Sequence, residues 1–165
     1  WIYGAGEPAR PLSRMAKELG CFVGILDHRP ALATRERFPE ADEVLPGHPS
    51  ETLAGLRLDG RSAAVVLSHV YDRDLEALKG FLKGGASFVG LQGNRKRSAK
   101  LLAQLEAEEG ALSETQRARL YHPVGLDLGA EAPEAIALSI LAEAQAVIAG
   151  RQGGHLRDRL APIHG

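Results

Sequence analysis

Trp1-Ile2-Tyr3-Gly4-Ala5-Gly6-Glu7-Pro8-Ala9 reads as a short buried strand, a glycine turn and the start of a helix. A strand that runs straight into such a turn and then a helix is the opening of a dinucleotide-binding unit. In that reading Gly4 makes the tight turn and Gly6 lets a pyrophosphate approach the backbone. Ala5 lies between them, and Ala9 stands where a third glycine would keep helix and sheet close. The first amides of the helix, together with its dipole, then face an anion.

The residues that follow supply the context a lone glycine pattern lacks. Pro8 suits the first turn of a helix, where its missing N–H costs nothing. Leu12, Met15, Ala16 and Leu19 recur at helical spacing, Gly20 can close the helix, and Phe22-Val23-Gly24-Ile25-Leu26 reads as a second buried strand. That strand ends in Asp27, roughly 20 positions after Gly6, the spacing at which a carboxylate takes a ribose hydroxyl. Arg29 suits a 2'-phosphate, so NAD and NADP both stay open, with a lean to NAD. Glu7 opposes this reading, because its charge favours the helix dipole but repels a pyrophosphate arriving at the same turn. The plainer alternative is that the glycines make only a tight strand-to-helix joint.

A chain of 165 residues supports one domain and buries roughly 70% of its unfolded surface. With 20 basic and 21 acidic residues the formal charge is −1, which gives no electrostatic reason to bind nucleic acid or an anionic membrane. A single cysteine excludes an internal disulfide and a multi-cysteine zinc site, and no stretch reads as a signal peptide or a membrane span. The expected location is the cytoplasm. The chain opens on a strand without Met, which leaves both trimming and loss of a preceding domain open.

Strand and helix signals alternate along residues 1–150, which predicts an α/β fold with a mainly parallel sheet covered on both faces. Further strands are expected at Asp42-Glu43-Val44-Leu45, at Ala63-Ala64-Val65-Val66-Leu67 and at Ser87-Phe88-Val89-Gly90-Leu91. Helices are expected from Asp72 to Leu82, from Arg95 to Glu108, briefly from Ser113 to Leu120, and from Pro133 to Gly150. Tyr121 to Asp127 reads as a connection or short strand, and residues 151–165 as a loosely docked tail.

In such a sheet ligands sit beyond the carboxyl ends of the strands, and the polar punctuation collects there. Gly4 and Gly6 follow the first strand, Asp27, His28 and Arg29 the second, Ser68 and His69 the fourth, and Gly93, Asn94 and Arg95 the fifth. His69, near Asp72 and Asp74, is the candidate catalytic residue: a proton donor, a substrate clamp or a metal ligand, against the alternative of a loop histidine bonded to backbone. No metal is expected, since no second histidine stands at ligand spacing. Arg95, Lys96 and Arg97 open a helix where they suit a phosphate or form a solvated face, with Arg95 the preferred ligand. Cys21 reads as a small buried thiol. Gly125 and Gly129 flank Asp127, which is either presented to a cleft or caps the next helix. Glu134 reads as an N-terminal helix charge and Glu143 as an interior partner.

Taken together, these segments resemble the Rossmann domain of the XdhC/CoxI family, the xanthine dehydrogenase accessory factors. The marks are Gly4-Ala5-Gly6, Asp27-His28-Arg29-Pro30, Arg37-Phe38-Pro39-Glu40-Ala41-Asp42, Ser68-His69 and Val89-Gly90-Leu91-Gln92-Gly93-Asn94-Arg95-Lys96. The most specific is Pro123-Val124-Gly125-Leu126-Asp127-Leu128-Gly129-Ala130, continuing through Pro133 to Glu143. The resemblance implies a Rossmann-like three-layer αβα sandwich that binds the molybdenum cofactor (molybdopterin). It also implies that the protein protects the cofactor while a cysteine desulfurase supplies its terminal sulfur, then delivers it to a xanthine dehydrogenase-type molybdenum hydroxylase. On that view the chain is a maturation factor rather than a turnover enzyme, working as a homodimer or with its target, and the pterin phosphate occupies the glycine loop. The family usually has His at the position of Glu7, Thr at Ser68, Ser at Asn94 and an acid at Ala135, and its usual amino-terminal domain is absent from these residues. The rival readings are an NAD(P)-dependent oxidoreductase or nicotinamide sensor, with Asp27 on the ribose and His69 beside the substrate, and a purely structural interaction domain.

Overall fold

Short apolar runs in which successive side chains point to opposite faces build this sheet. The computed structural model describes residues 1–160 and residue 162. Strands Ile2–Tyr3 (β1), Gly24–Asp27 (β2), Glu43–Pro46 (β3), Ala63–Val66 (β4), Phe88–Leu91 (β5) and Leu120–Tyr121 (β6) pair in parallel in the order β3-β2-β1-β4-β5-β6. Ile2 lies opposite Ile25 and Val65, and Tyr3 opposite Leu26 and Val66, so a two-residue strand seeds both faces. On one face Ile2, Ile25, Val65 and Phe88 pack with Leu12 and Ala16 of α1 (Ala9–Glu18) and Ile140 of α6 (Pro133–Ile148). On the other, Tyr3, Leu26, Val66 and Leu91 pack with Leu78 and Phe81 of α3 (Tyr71–Lys83) and Leu101 of α4 (Arg95–Glu109). The result is the three-layer αβα sandwich the alternating pattern predicts, with its strand order reversing between β1 and β4.

The differences from the expected elements are local. The second strand starts at Gly24 rather than Phe22, because the Trp1 ring covers Gly24 so closely that a Cβ there would lie 2.0 Å from a ring carbon. Phe22 consequently turns outward, 57% exposed, and packs at a tilt against Trp1. Asp42 precedes β3 and serves as a tie: its Oδ2 accepts from the Val23 amide at 2.6 Å and from Lys17 Nζ at 2.8 Å, joining α1 to the sheet. A one-turn helix, Pro49–Thr52 (α2), has no expected counterpart; His48 caps it by accepting from the Ser50 amide. The short helix Glu114–Ala118 (α5) begins with a capping box formed by Ser113 and Gln116. Of the tail, the Arg151 amide still bonds Ala146 O and a single 3-10 turn spans Leu156–Asp158; residues 161 and 163–165 lie outside the described residues.

Candidate functional site

The glycine turn divides its labour unevenly. Gly4 has φ +113° and donates to Leu26 O at 2.8 Å, and a Cβ there would lie 2.4 Å from the Ser68 amide nitrogen. The turn after β1 is therefore in backbone contact with the end of β4. Gly6 faces open space, with nothing nearer to an added Cβ than Pro8 Cδ at 3.9 Å. The Ala5 amide donates to Asp27 Oδ2 at 2.7 Å, whereas the Gly6 and Glu7 amides have no protein acceptor among the described residues. Glu7 pairs with Arg37 (3.1 Å) and Arg10 (3.7 Å), and the same Arg37 nitrogen reaches Ala5 O of the turn at 3.4 Å.

At the end of β2, Asp27 is fully buried and fully engaged. Its Oδ1 accepts from the Arg29 amide (2.8 Å) and Arg29 Nε (2.9 Å), and its Oδ2 accepts from Arg29 Nη2 (2.8 Å) as well as Ala5. Burial alone would raise its pKa, but the Arg29 side-chain bonds and the two amides outweigh it and hold the carboxyl below the usual range. Arg29 is raised in turn, chiefly by its bonds to Asp27. His28 Nδ1 lies 3.3 Å from Asp27 Oδ1 and 3.4 Å from the Tyr3 hydroxyl, and desolvation lowers its pKa. A ribose diol at Asp27 would have to displace Arg29.

Beyond β4 the chain makes a strained turn. His69 has φ +62°, the one positive value outside glycine among the described residues, and is exposed. Below it, Ser68 Oγ donates to Asp74 Oδ1 at 2.5 Å and accepts from the Val70 amide at 3.2 Å. Asp74 is fully buried and its Oδ2 takes Arg97 Nη2 at 2.7 Å. Asp74 thus acts through Ser68, not on His69 directly. Of the three basic residues opening α4, it is Arg97 that turns inward, while Arg95 and Lys96 are exposed. Asn94 spends its side-chain oxygen capping α4, accepting from the Arg97 amide at 2.8 Å.

Gln92 and Gly93, the latter at φ +141°, follow β5 and face the loop that enters α6. That loop follows a cis His122–Pro123 bond and is stitched to α6. Gly125 N donates to Glu143 Oε2 (2.7 Å), Leu126 N to Ser139 O (3.2 Å), and Ser139 Oγ to Leu126 O (2.5 Å). Glu143 is therefore the interior partner its position suggests. Asp127 caps nothing, since the N-cap of α6 is Ala132; it is exposed, with no partner among the described residues.

His69, Gln92, Gly93, Asp127 and Gly129 come together in a cleft of about 370 Å³. Asp27, Arg29, Asn94 and Arg95 do not line it, and the glycine turn joins it only through the Gly4–Ser68 contact. A larger hollow of about 770 Å³ sits at the opposite, amino ends of the strands, walled by Trp1, Phe22 and Ile148. Cys21 lies there and is exposed rather than buried, because Gly20, at φ +80°, turns the chain outward before β2. Parallel sheets carry ligands at their carboxyl ends, so the smaller cleft is the candidate site. Among the described residues no three His, Cys, Asp or Glu gather to hold a metal, and no helix is long and apolar enough to cross a membrane.

Two residues here carry no strong sequence signal. Gln92 Oε1 is buried without a partner, although the residue reads as an ordinary strand end. Asp74 reads as a first-turn helix acid, and only the fold reveals its bond to Ser68.

Residues 1–144 match the model of the XdhC Rossmann domain. The chain is 33% identical over 142 residues to a Bacillus subtilis protein named as a probable xanthine dehydrogenase subunit, covering 86% of this chain and 40% of that protein. It is 32% identical over 154 residues to the uncharacterized protein YqeB of Escherichia coli, covering 93% of this chain and 28% of that one. A crystal structure described as a xanthine dehydrogenase from Bacillus halodurans superposes with a TM-score of 0.78 at 29% identity, over 92% of this chain and 42% of the other. The chain thus spans less than half the length of each of these relatives. From its strand order, its glycine turn and a match over most of its length, the chain belongs to the XdhC Rossmann-domain family.

Proposed function

We propose that this domain binds the molybdenum cofactor at the rim formed by β1, β4 and β5, as part of an accessory factor for a xanthine dehydrogenase-type molybdenum hydroxylase. The observation that carries the reading is the juxtaposition of two groups of unspent hydrogen-bonding partners. The Gly6 and Glu7 amides are without an acceptor at the glycine turn, and a polar cleft lined by His69, Gln92 and Asp127 lies across the Gly4–Ser68 contact. The donor set fits a molecule with an anionic end and a polar ring. Two amides at a helix start suit the phosphate, provided the Glu7 carboxylate stays paired with Arg37 and Arg10. The cleft, at the small end of the ~300–1,000 Å³ typical of ligand sites, suits the ring.

When bound, the cofactor supplies the molybdenum centre whose terminal sulfur the hydroxylase needs. This chain's own residues hold and shield it. Ser68 and Asp74 fix the turn that presents His69 at the cleft mouth, where its imidazole can hold a proton or clamp the ligand. The stitched loop on α6 closes the other side. The wider assignment, with a cysteine desulfurase as sulfur source, a homodimer and a cytoplasmic setting, belongs to the same proposal.

The test is equilibrium titration of the purified chain with molybdenum cofactor and separately with NAD(H) and NADP(H), repeated on Gly6→Asp and His69→Ala. Cofactor binding that weakens in both variants is the expected result. Nucleotide binding without cofactor binding would replace this reading with an oxidoreductase or sensor, and binding of neither would leave an interaction domain.

A further inference from the structure

We infer that the outward face of α6 is where two copies of this chain meet, the two helices lying antiparallel about a twofold axis that passes near Ala142. The inference gives a surface to the homodimer of the proposed function and is otherwise independent of cofactor binding. It starts from an inverted helix. A surface helix turns its polar side chains to solvent and its apolar ones to the core. α6 holds no Lys or Arg, and two of its few polar residues are spent on the inner side. Ser139, 6% exposed, donates to Leu126 O, and Glu143 accepts from the Gly125 amide. What is left for the outside is Ala135, Leu138, Ala142, Gln145 and Ala149, opposite the buried Ala137, Ile140 and Ala144. Leu138 is 54% exposed. Of the eight large apolar side chains exposed among the described residues, five lie between Leu128 and Leu160, in α6 and the segments on either side of it. Apolar exposure gathered in this way marks an interaction surface.

Spacing and charge identify the occupant. The outward residues recur at intervals of three and four, the repeat along which one helix packs lengthwise on another. The strip carries no charge, so it lies against an identical strip without repulsion. About a twofold at Ala142, Ala135 meets Ala149 of the second copy, and Leu138 packs into the gap between Ala142, Gln145 and Ala149 of that copy. The ends then complement one another. Glu134, in the first turn of α6, and Arg151, just past its last, are both exposed, and neither has an ion-pair partner among the described residues. Antiparallel pairing brings Glu134 of each copy beside Arg151 of the other and sets opposite ends of the two helix dipoles together. A parallel pair would set like charge against like. The tail leaves α6 on the other side of the strip, where Gly153 packs against Leu126 and Ala146, and it leaves Leu138 uncovered.

The experiment is sedimentation equilibrium of the full chain as wild type, Leu138→Glu, Glu134→Arg, Arg151→Glu and the double charge swap, with thermal unfolding of each as a fold check. The expected wild type has twice the chain mass at micromolar concentration. Leu138→Glu should raise the dimer Kd by roughly 100-fold or more, because one substitution acts twice across a twofold. Each single charge reversal should weaken the dimer and the double swap should restore it, a rescue that a merely structural role would not give. As a second readout, Ala142→Cys in a Cys21→Ser background should form a disulfide-linked dimer when oxidised with diamide, whereas Ala107→Cys, on the exposed side of α4, should not. A monomeric wild type, a dimer that survives Leu138→Glu, or a swap without rescue would overturn the inference. A monomeric wild type whose melting temperature falls in Leu138→Glu would overturn it too, and would assign the face to the chain's own tail. Cofactor binding by such a monomer would leave the cofactor reading standing, so the two fail separately.

Discussion

Replacing Gly4 and Gly6 by alanine should separate the architectural glycine from the ligand-facing one. At Gly4 the backbone has φ +113°, a conformation that costs an L-residue about 1–3 kcal/mol. The new Cβ would also lie 2.4 Å from Ser68 N, 2.6 Å from Ser68 Cα and 2.7 Å from Leu67 C. These are backbone atoms, held in place by the bond from Leu67 N to Tyr3 O at 2.8 Å, so no side chain can swing aside. Overpacking of this kind adds about 1–3 kcal/mol, for a total of roughly 2–6 kcal/mol. At Gly6 the nearest atom is 3.9 Å away and φ is not positive, so Gly6→Ala should change stability by no more than about 0.5 kcal/mol. Urea unfolding reads both directly, and by heat each kcal/mol is about 2–4 °C for a domain of this size. The methyl at Gly6 would project where an anion must approach, so cofactor affinity should fall while the melting temperature holds. A stable Gly4→Ala, or a Gly6→Ala destabilised as much as Gly4→Ala, would refute the reasoning.

Asp74→Ala removes the carboxylate that neutralises Arg97 and accepts from Ser68. Leaving that charge uncompensated should cost about 3–5 kcal/mol by urea denaturation, with Arg97→Met alone costing less. Asp27 predicts an acid limb of stability. Its folded pKa is depressed, so its contribution is complete above the unfolded value of about 3.9 and is lost as pH falls through the lower folded value. Chemical denaturation of Asp27→Asn between about pH 6 and pH 3 should therefore show a flatter decline than wild type; parallel curves would exclude the linkage. Arg29→Ala unseals Asp27, so any NAD(H) binding should be stronger in the variant than in wild type by calorimetry. NAD(H) binding that is present in wild type and lost in Arg29→Ala would make Arg29 a ligand.

The sheet was legible because its signal is local and redundant: Ala64-Val65-Val66 and Phe88-Val89 are apolar on both faces, as strands buried between helices must be. The strand ends were legible for the same reason, and with them the rim. What each rim residue does was not, because a side chain's partner is set by tertiary distance rather than by spacing. Asn94 and Arg97 are three positions apart, and only the fold shows that one is spent on capping while the other is drawn in by Asp74 from α3. Phe22 turned outward for a similar reason, since a glycine in β2 leaves room for the Trp1 ring to occupy the space an apolar strand start would have filled. Gln92 had no signal at all, because an unpaired oxygen is a property of its surroundings.

The two sides of β1 differ in a way that decides where a ligand gains most. On the β2 side the carboxylate that would meet a ribose is already satisfied: both Asp27 oxygens are taken, and the Ala5 amide with them. A ligand entering there must break charge-assisted bonds worth about 1.5–3 kcal/mol each before it makes its own. On the β4 and β5 side the balance is reversed. Gln92 Oε1 and the Asp127 carboxylate stand without partners among the described residues, and the turn at His69 holds backbone strain that contacts with a ligand can offset. In a sheet with the strand order of a dinucleotide-binding domain, the carboxylate ending β2 is thus already paired, while the polar groups of the cleft beyond β4 and β5 are not.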